Sequence, residues 1–207
     1  MKLFYSGNSP YARRPRIAIR EADLMDRVEE IVAAGEEREP MLFDYGPGAK
    51  VPGLLTDSGA YICETLLIDI YLDEMSGGRL YPKDQKARDL AFQIDGVASL
   101  LMESLFYRSH ENRREEGERS AGFIHKETAR ANRTYDALEN LVDKFGDNLY
   151  LGLISAVASL GYADWRHPGD QWRSGRPKLA AWFEETMKRP AVDETCLLYT
   201  SPSPRDS

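Results

Sequence analysis

Three short stretches of this chain carry residue types suited to gripping a small peptide-like molecule. In Lys50-Val51-Pro52-Gly53-Leu54-Leu55 a proline stands directly before a short apolar run. Proline has no N–H and holds the residue before it extended, so the N–H and C=O of Val51 stay open to an outside partner. An edge of this kind pairs with a peptide backbone. Beyond a turn at Asp57-Ser58-Gly59, Ile62-Cys63-Glu64-Thr65 opens a helical pattern, and orphan N–H groups, a hydroxyl and a carboxylate meet at one helix start. Such a spot suits a small zwitterion. The third stretch is Ser9-Pro10, where Ser9 reads as a helix N-cap and Pro10 as the first helical residue.

These residues need a scaffold that brings them together. Leu3-Phe4-Tyr5 reads as a short buried strand, and the helix after Ser9 carries Ile17, Ile19, Ala22 and Leu24. Val28-Glu29-Glu30-Ile31-Val32 reads as a second strand. A strand, helix, strand order requires parallel pairing and a right-handed crossover. Residues 35–49 are polar with Gly and Pro and read as a loop or a short helix. Residues 53–56 and 60–63 form an antiparallel hairpin, and Leu66, Leu67, Ile70, Tyr71 and Leu72 give helical spacing after it. The whole is a thioredoxin-like β-α-β-α-β-β-α domain over residues 1–78.

Gly77-Gly78 ends its last helix, and residues 79–83 cross to a region, 84–195, that has no strand signals. Long helical patterns cover 84–114 and 120–145, separated by Glu115-Glu116-Gly117-Glu118, so these two helices should lie antiparallel. Residues 149–160 are an apolar helix expected at the centre, and 177–188 a final amphipathic one. The fold class is α/β followed by an all-α helical bundle. Residues 196–207 are out of character, with no apolar periodicity and two prolines from Ser201 on, and are expected to be disordered. The end of this tail, Ser201-Pro202-Ser203-Pro204-Arg205-Asp206-Ser207, resembles translated adapter sequence, which would make it an artefact.

Composition narrows the function. A net charge of −7 offers no basic excess to displace counterions from a phosphate backbone, so nucleic acid is not an expected partner. No apolar run approaches the roughly 20 residues of a membrane helix. Arg13, Arg14 and Arg16 interrupt the position of a signal-peptide core, and a cytoplasmic location is expected. Cys63 and Cys196 are far apart and outside any Cys-x-x-Cys pair, and His110, His125 and His167 lack ligand spacing, so neither a disulfide framework nor a metal site is expected. Cys63 reads as a buried, inert thiol, and the three histidines as structural or solvent-exposed.

The chain resembles the cytosolic glutathione transferases, in particular bacterial members that use serine. The resemblance rests on the Val-Pro and Glu-Thr stretches, on Met1-Lys2-Leu3-Phe4-Tyr5-Ser6-Gly7-Asn8-Ser9-Pro10-Tyr11 and on later segments. Those include Asp95-Gly96-Val97, Leu160-Gly161-Tyr162-Ala163-Asp164-Trp165-Arg166 and Arg176-Pro177-Lys178-Leu179. It implies that glutathione is co-substrate, with no metal, and that its thiol attacks a small, hydrophobic electrophile, a transfer of alkyl or aryl groups. By the same resemblance Ser9 stabilises the thiolate, a cis Val51-Pro52 aligns the cysteinyl backbone, Lys50 reaches the glycyl carboxylate, and Glu64 with Thr65 grips the γ-glutamyl end. The electrophile would lie against Tyr11, Ser99, Met102, Glu103, Phe106, Tyr107 and Trp165, and the protein would be a homodimer. A non-catalytic binding or adaptor protein on the same fold is the alternative, and a glutathione-dependent reductase or isomerase is a third.

Two departures from the family pattern give further expectations. Pro15 falls inside the first helix, so that helix is expected to kink or to start late and move Ser9. Tyr150-Leu151-Gly152-Leu153 stands where the family has a capping box, so reciprocal capping of the central helix is lost. Arg13, Arg14 and Arg16 read as a solvated face, or for Arg13 as help at the carboxylate end of the ligand.

Overall fold

The computed structural model describes residues 1–197; the remainder of the tail, 198–207, lies outside the described residues, so the expected disorder there is not addressed. The N-terminal part runs β1 (Lys2–Tyr5), α1 (Pro10–Glu21), β2 (Glu29–Val32), α2 (Arg38–Phe43), β3 (Gly53–Leu55), β4 (Tyr61–Cys63) and α3 (Thr65–Met75). The sheet order is β2-β1-β3-β4, with β1 parallel to β2 and both other pairings antiparallel. Alternation along the strands divides the side chains between two faces. Leu3, Leu54 and Ile62 pack with Ile17 of α1 and Ile68 of α3, whereas Phe4, Leu55 and Tyr61 pack with Leu42 of α2. This is the thioredoxin-like arrangement expected from the alternation of strands and helices.

The helical part comprises α4 (Gln85–Asn112), α5 (Ala121–Leu141), α6 (Leu151–Arg166), α7 (Pro177–Thr186) and α8 (Pro190–Asp193). Residues 151–160 of α6 are all buried, as a largely apolar helix at the centre of a bundle must be. Gly152 allows that depth, since a Cβ there would come 2.4 Å from the Ala91 carbonyl oxygen of α4. Ser155 and Ser159 satisfy their hydroxyls: each single proton has two acceptors in reach, the carbonyl one turn back and either Asp95 Oδ1 (Ser155) or the Ala98 carbonyl (Ser159) of α4. Tyr150 supplies no side-chain cap to α6, in line with the missing capping box, but the Leu151 N–H donates to the Leu80 carbonyl at 3.0 Å. The linker thus satisfies one of the helix's orphan donors.

The structure corrects four expectations. The first helix does not start late: α1 begins at Pro10 and continues past Pro15, and Ser9 caps it by accepting the Ala12 N–H at 3.2 Å. Pro15 has no N–H for the Tyr11 carbonyl, and that oxygen accepts the Thr65 hydroxyl at 3.5 Å instead. Cys63 is exposed and not buried, because it closes the short edge strand β4. The tail does not leave the folded body at residue 196: Cys196 Sγ lies 3.7 Å from Arg13 Nη2, and Leu197 packs partly against the main core.

The fourth correction has the largest structural consequence. Arg13, Arg14 and Arg16 are only 2%, 5% and 9% exposed, so they form no solvated face. Arg13 donates to the Val192 carbonyl at 3.1 Å, so it ties α1 to α8 and is occupied away from any ligand carboxylate. Arg16 and Arg20 share Glu30 of β2, and the Arg16 guanidinium lies 4.0 Å over the Tyr5 ring. Arg14 holds Asp69 of α3 at 2.8 Å and Asp95 of α4 at 3.2 Å, and its Nη1 donates to Ser99 Oγ at 3.2 Å. One guanidinium thus joins the sheet region to the helical region.

Two buried carboxylates around one cation leave Asp69 short of solvation. Burial pushes its carboxyl up to about 7, against the attraction of Arg14 and with repulsion from Asp95 added. Tyr81 and Asp73 also face this cluster. The folded value lies above the ordinary one, so the native state keeps a proton that the unfolded chain has released. Stability from this group is present at acid pH and falls as pH rises from about 4 to about 7. Glu30 has the opposite sign: burial alone would raise it, but hydrogen bonds from Arg20 and Arg16 hold it below its usual value, so its contribution is lost as pH falls. Thermal melts across this range should show Asp69→Asn flattening the decline toward neutral pH. An unchanged slope would assign the decline to another group.

Candidate functional site

The strand register gathers the three stretches at one end of the sheet. Phe4 of β1 pairs with Gly53 of β3, which pairs with Cys63 of β4. The loop after β1 leads to Ser9, the segment entering β3 is Lys50-Val51-Pro52, and Glu64-Thr65 follows β4. All three therefore leave the sheet at the same end, with the N-termini of α1 and α3 beside them. The Thr65 hydroxyl bond to the Tyr11 carbonyl joins those two helix starts directly. Both present their positive ends and unpaired N–H groups to the same region, which favours a negatively charged ligand atom there.

Each local conformation has a visible cause. The Val51–Pro52 peptide is cis, and Val51 is half-buried against the Phe4 and Leu42 cluster. Gly53 is bare because Tyr61 crosses it: a Cβ would lie 1.8 Å from the Tyr61 hydroxyl oxygen. Glu64 has φ +72° and ψ 120°, a backbone conformation that L side chains rarely adopt, and its exposed carboxylate makes no capping bond. Ser9 accepts the Ala12 N–H, yet among the described residues nothing accepts its own hydroxyl proton, so capping and donation are compatible. Lys50 is exposed.

The residues expected to form an electrophile wall divide. Tyr11 and Phe106 stay together edge to face with centroids 5.1 Å apart, and Tyr107 is exposed with its hydroxyl donating to Glu103 at 3.3 Å. Glu103 also pairs with Arg130 at 2.8 Å. Burial, with Glu103 adding to it, pushes the Tyr11 hydroxyl up to about 12, so it is a neutral donor at pH 7. Trp165 is half-buried on α6 with the Arg166 guanidinium 3.8 Å over its ring. Ser99 and Met102 point elsewhere: Ser99 belongs to the Arg14 cluster, and Met102 is 2% exposed in the core.

Some nearby residues carried no sequence signal. Arg38 of α2 has a buried Nε without a partner, on the element that covers the Val51 face of the sheet. His110 packs on Phe106 with centroids 4.0 Å apart, and burial keeps its imidazole below the usual value, with Arg113 and Arg166 adding to the effect. A groove of about 560 Å³ at the linker, lined by Glu21, Arg79, Lys83, Tyr150 and Arg189, lies at the other end of α1. A helix of that length separates it from Ser9 by about 18 Å. Among the described residues no group of three or more His, Cys, Asp or Glu side chains is placed to hold a metal ion, and no helix is long and apolar enough to cross a membrane.

A sheet end with two helix N-termini, a cis-proline entry and a separate helical bundle defines a class. The family model described as "Glutathione S-transferase, N-terminal domain" matches residues 8–75. Residues 8–75 thus match the N-terminal domain of the glutathione transferases, and over its length the chain is similar to proteins of that family. It is 25% identical over 199 residues to the uncharacterized GST-like protein YibF of Escherichia coli K12, covering 94% of this chain and 98% of that one. It is 26% identical over 199 residues to glutathione S-transferase 3 of Glycine max, covering 90% and 85% of the two chains. Among solved structures, a glutathione transferase family member from Pseudomonas fluorescens Pf-5 with bound glutathione superposes with a TM-score of 0.86 at 27% identity, covering 94% of this chain and 97% of that one.

Proposed function

We propose that this chain binds glutathione at this end of the sheet and, as a serine-type transferase, uses Ser9 to activate its thiol. The observation that carries the reading is the convergence of a capping serine with a free hydroxyl proton, the cis Val51–Pro52 peptide and the Glu64 carboxylate at one end of the sheet. The Val51 backbone pairs with the cysteinyl unit, Glu64 answers the γ-glutamyl ammonium, and Thr65 adds the first turn of α3. Lys50, with Arg38, supplies positive charge for the glycyl carboxylate. A free thiol has a pKa near 8.5, and a hydroxyl donor beside a helix N-terminus favours the thiolate. The sulfur then attacks an electrophilic carbon: a C–S bond forms, the bond to the leaving group breaks with its electron pair, and the thiol proton passes to solvent.

The electrophile is small and apolar on this reading and lies between Tyr11 and the Phe106, Tyr107, Glu103 and Trp165 side. Residues 1–78 and 84–195 act as two domains joined by 79–83, in the cytoplasm, and two chains form a homodimer. Leu66, Leu67 and Ile70 of α3 and Phe92 and Leu100 of α4 are exposed apolar residues that such a dimer would cover. Sedimentation should give a dimer, and Leu67→Glu should shift it toward monomer. A wild-type monomer would remove that part of the reading.

Calorimetric titration with glutathione, followed by turnover of 1-chloro-2,4-dinitrobenzene, tests the function. Saturable binding with enzyme-dependent chloride release is the expected result. Binding without turnover of this or other electrophiles would favour the adaptor reading, and no binding would overturn both.

A further inference from the structure

We infer that Arg166 makes this site select aromatic electrophiles that carry a carboxylate or similar anionic group; the inference rests on the glutathione-transferase reading above. The arginines around α6 are otherwise occupied. Arg108 grips both oxygens of Asp170 at 2.6 and 2.7 Å, and Arg173 grips both of Asp164 at 2.6 and 2.9 Å. Arg130 pairs with Glu103, and Arg113 donates to the Ser109 carbonyl at 3.0 Å. Arg166 has no carboxylate or carbonyl partner among the described residues, and its Nε is buried without an acceptor. Its guanidinium carbon sits 3.8 Å over the Trp165 ring instead. A cation–π contact holds the plane but accepts none of the five N–H donors, whose fork matches a carboxylate.

Its place in the fold decides what that fork meets. His167, the residue after Arg166, shares a hydrogen bond of 3.0 Å with Ser109, the neighbour of His110 on α4. His110 stacks on Phe106, and Phe106 meets Tyr11 at the start of α1, two residues from Ser9. A ring resting on the Phe106 side would thus have its reactive carbon toward Ser9 and a far substituent toward Arg166. Aromatic faces there suit a flat substrate, and a partly desolvated cation favours an anion more strongly than an exposed one does.

The test compares S-benzylglutathione with S-(4-carboxybenzyl)glutathione by calorimetry on the full chain. The carboxylate is expected to bind about tenfold tighter, the advantage shrinking as salt rises. Arg166→Met should abolish the difference and Arg166→Lys should keep part of it. Equal binding of the two conjugates by the wild type would overturn the inference and leave the glutathione site standing. Failure of both conjugates and of glutathione itself would overturn the underlying reading, and the inference with it. Should Arg166→Met not fold, the wild-type ratio and its salt dependence decide alone.

Discussion

Replacing Arg14 by alanine should cost about 3–5 kcal/mol of stability, the loss typical of breaking a buried ion pair by removing one partner. Asp69 is fully buried and Asp95 nearly so, and both would be left facing each other without a cation. At about 2–4 °C per kcal/mol for a chain of this size, the melting temperature should drop by roughly 10 °C. Asp69→Asn placed on top of Arg14→Ala should change stability little further at neutral pH, because burial already favours a protonated Asp69 and losing Arg14 strengthens that tendency. Arg20→Ala is the control: Glu30 keeps Arg16, and Arg20's other partner, Glu194, is exposed. That change should cost about 1 kcal/mol or less. Equal losses from Arg14→Ala and Arg20→Ala in denaturant titrations would show that the buried cluster has no special weight.

What made this cluster unreadable in the sequence is distance along the chain. The partners of Arg14 stand 55 and 81 residues away, so three basic residues in four positions look like a solvated patch until the fold is known. The strands and long helices were legible because their signals are local. The apolar run Leu3-Phe4-Tyr5, the helical spacing after residues 84 and 120 and the Gly77-Gly78 stop each act within a turn or two. α8, four residues long, is too short to show a period. Pro15 misled for a related reason: the cost of a missing N–H depends on who answers the orphaned carbonyl, and here that is Thr65 of another helix. At the candidate site, the motif residues were visible in the sequence. The unpaired state of Arg38 and Arg166 was not, because it is a property of everything around them.

Ser9 and Glu64 should fail in different ways, and each has a stability signature that separates ligand chemistry from structure. Ser9→Ala removes the cap on Ala12 and should cost about 0.5–2 kcal/mol of stability whatever else Ser9 does. If its hydroxyl also donates to the thiolate, turnover should fall and the pH optimum rise while glutathione affinity changes little. Thiolate absorbance of the bound tripeptide that titrates as in the wild type would reduce Ser9 to a cap. Glu64 carries backbone strain at φ +72°, and strained backbone of this kind costs about 1–3 kcal/mol. Glu64→Gly relaxes much of that strain and should raise stability by about 1 kcal/mol after glycine's own entropic cost. Glu64→Ala keeps the strain and should bring no such gain. Both remove the carboxylate, so both should weaken glutathione binding about tenfold to a hundredfold, the range for a lost hydrogen bond to a charged group. A protein that becomes more stable and binds glutathione less well would show the strain being kept for the ligand's sake. Unchanged affinity in both variants would mean that Glu64 holds nothing.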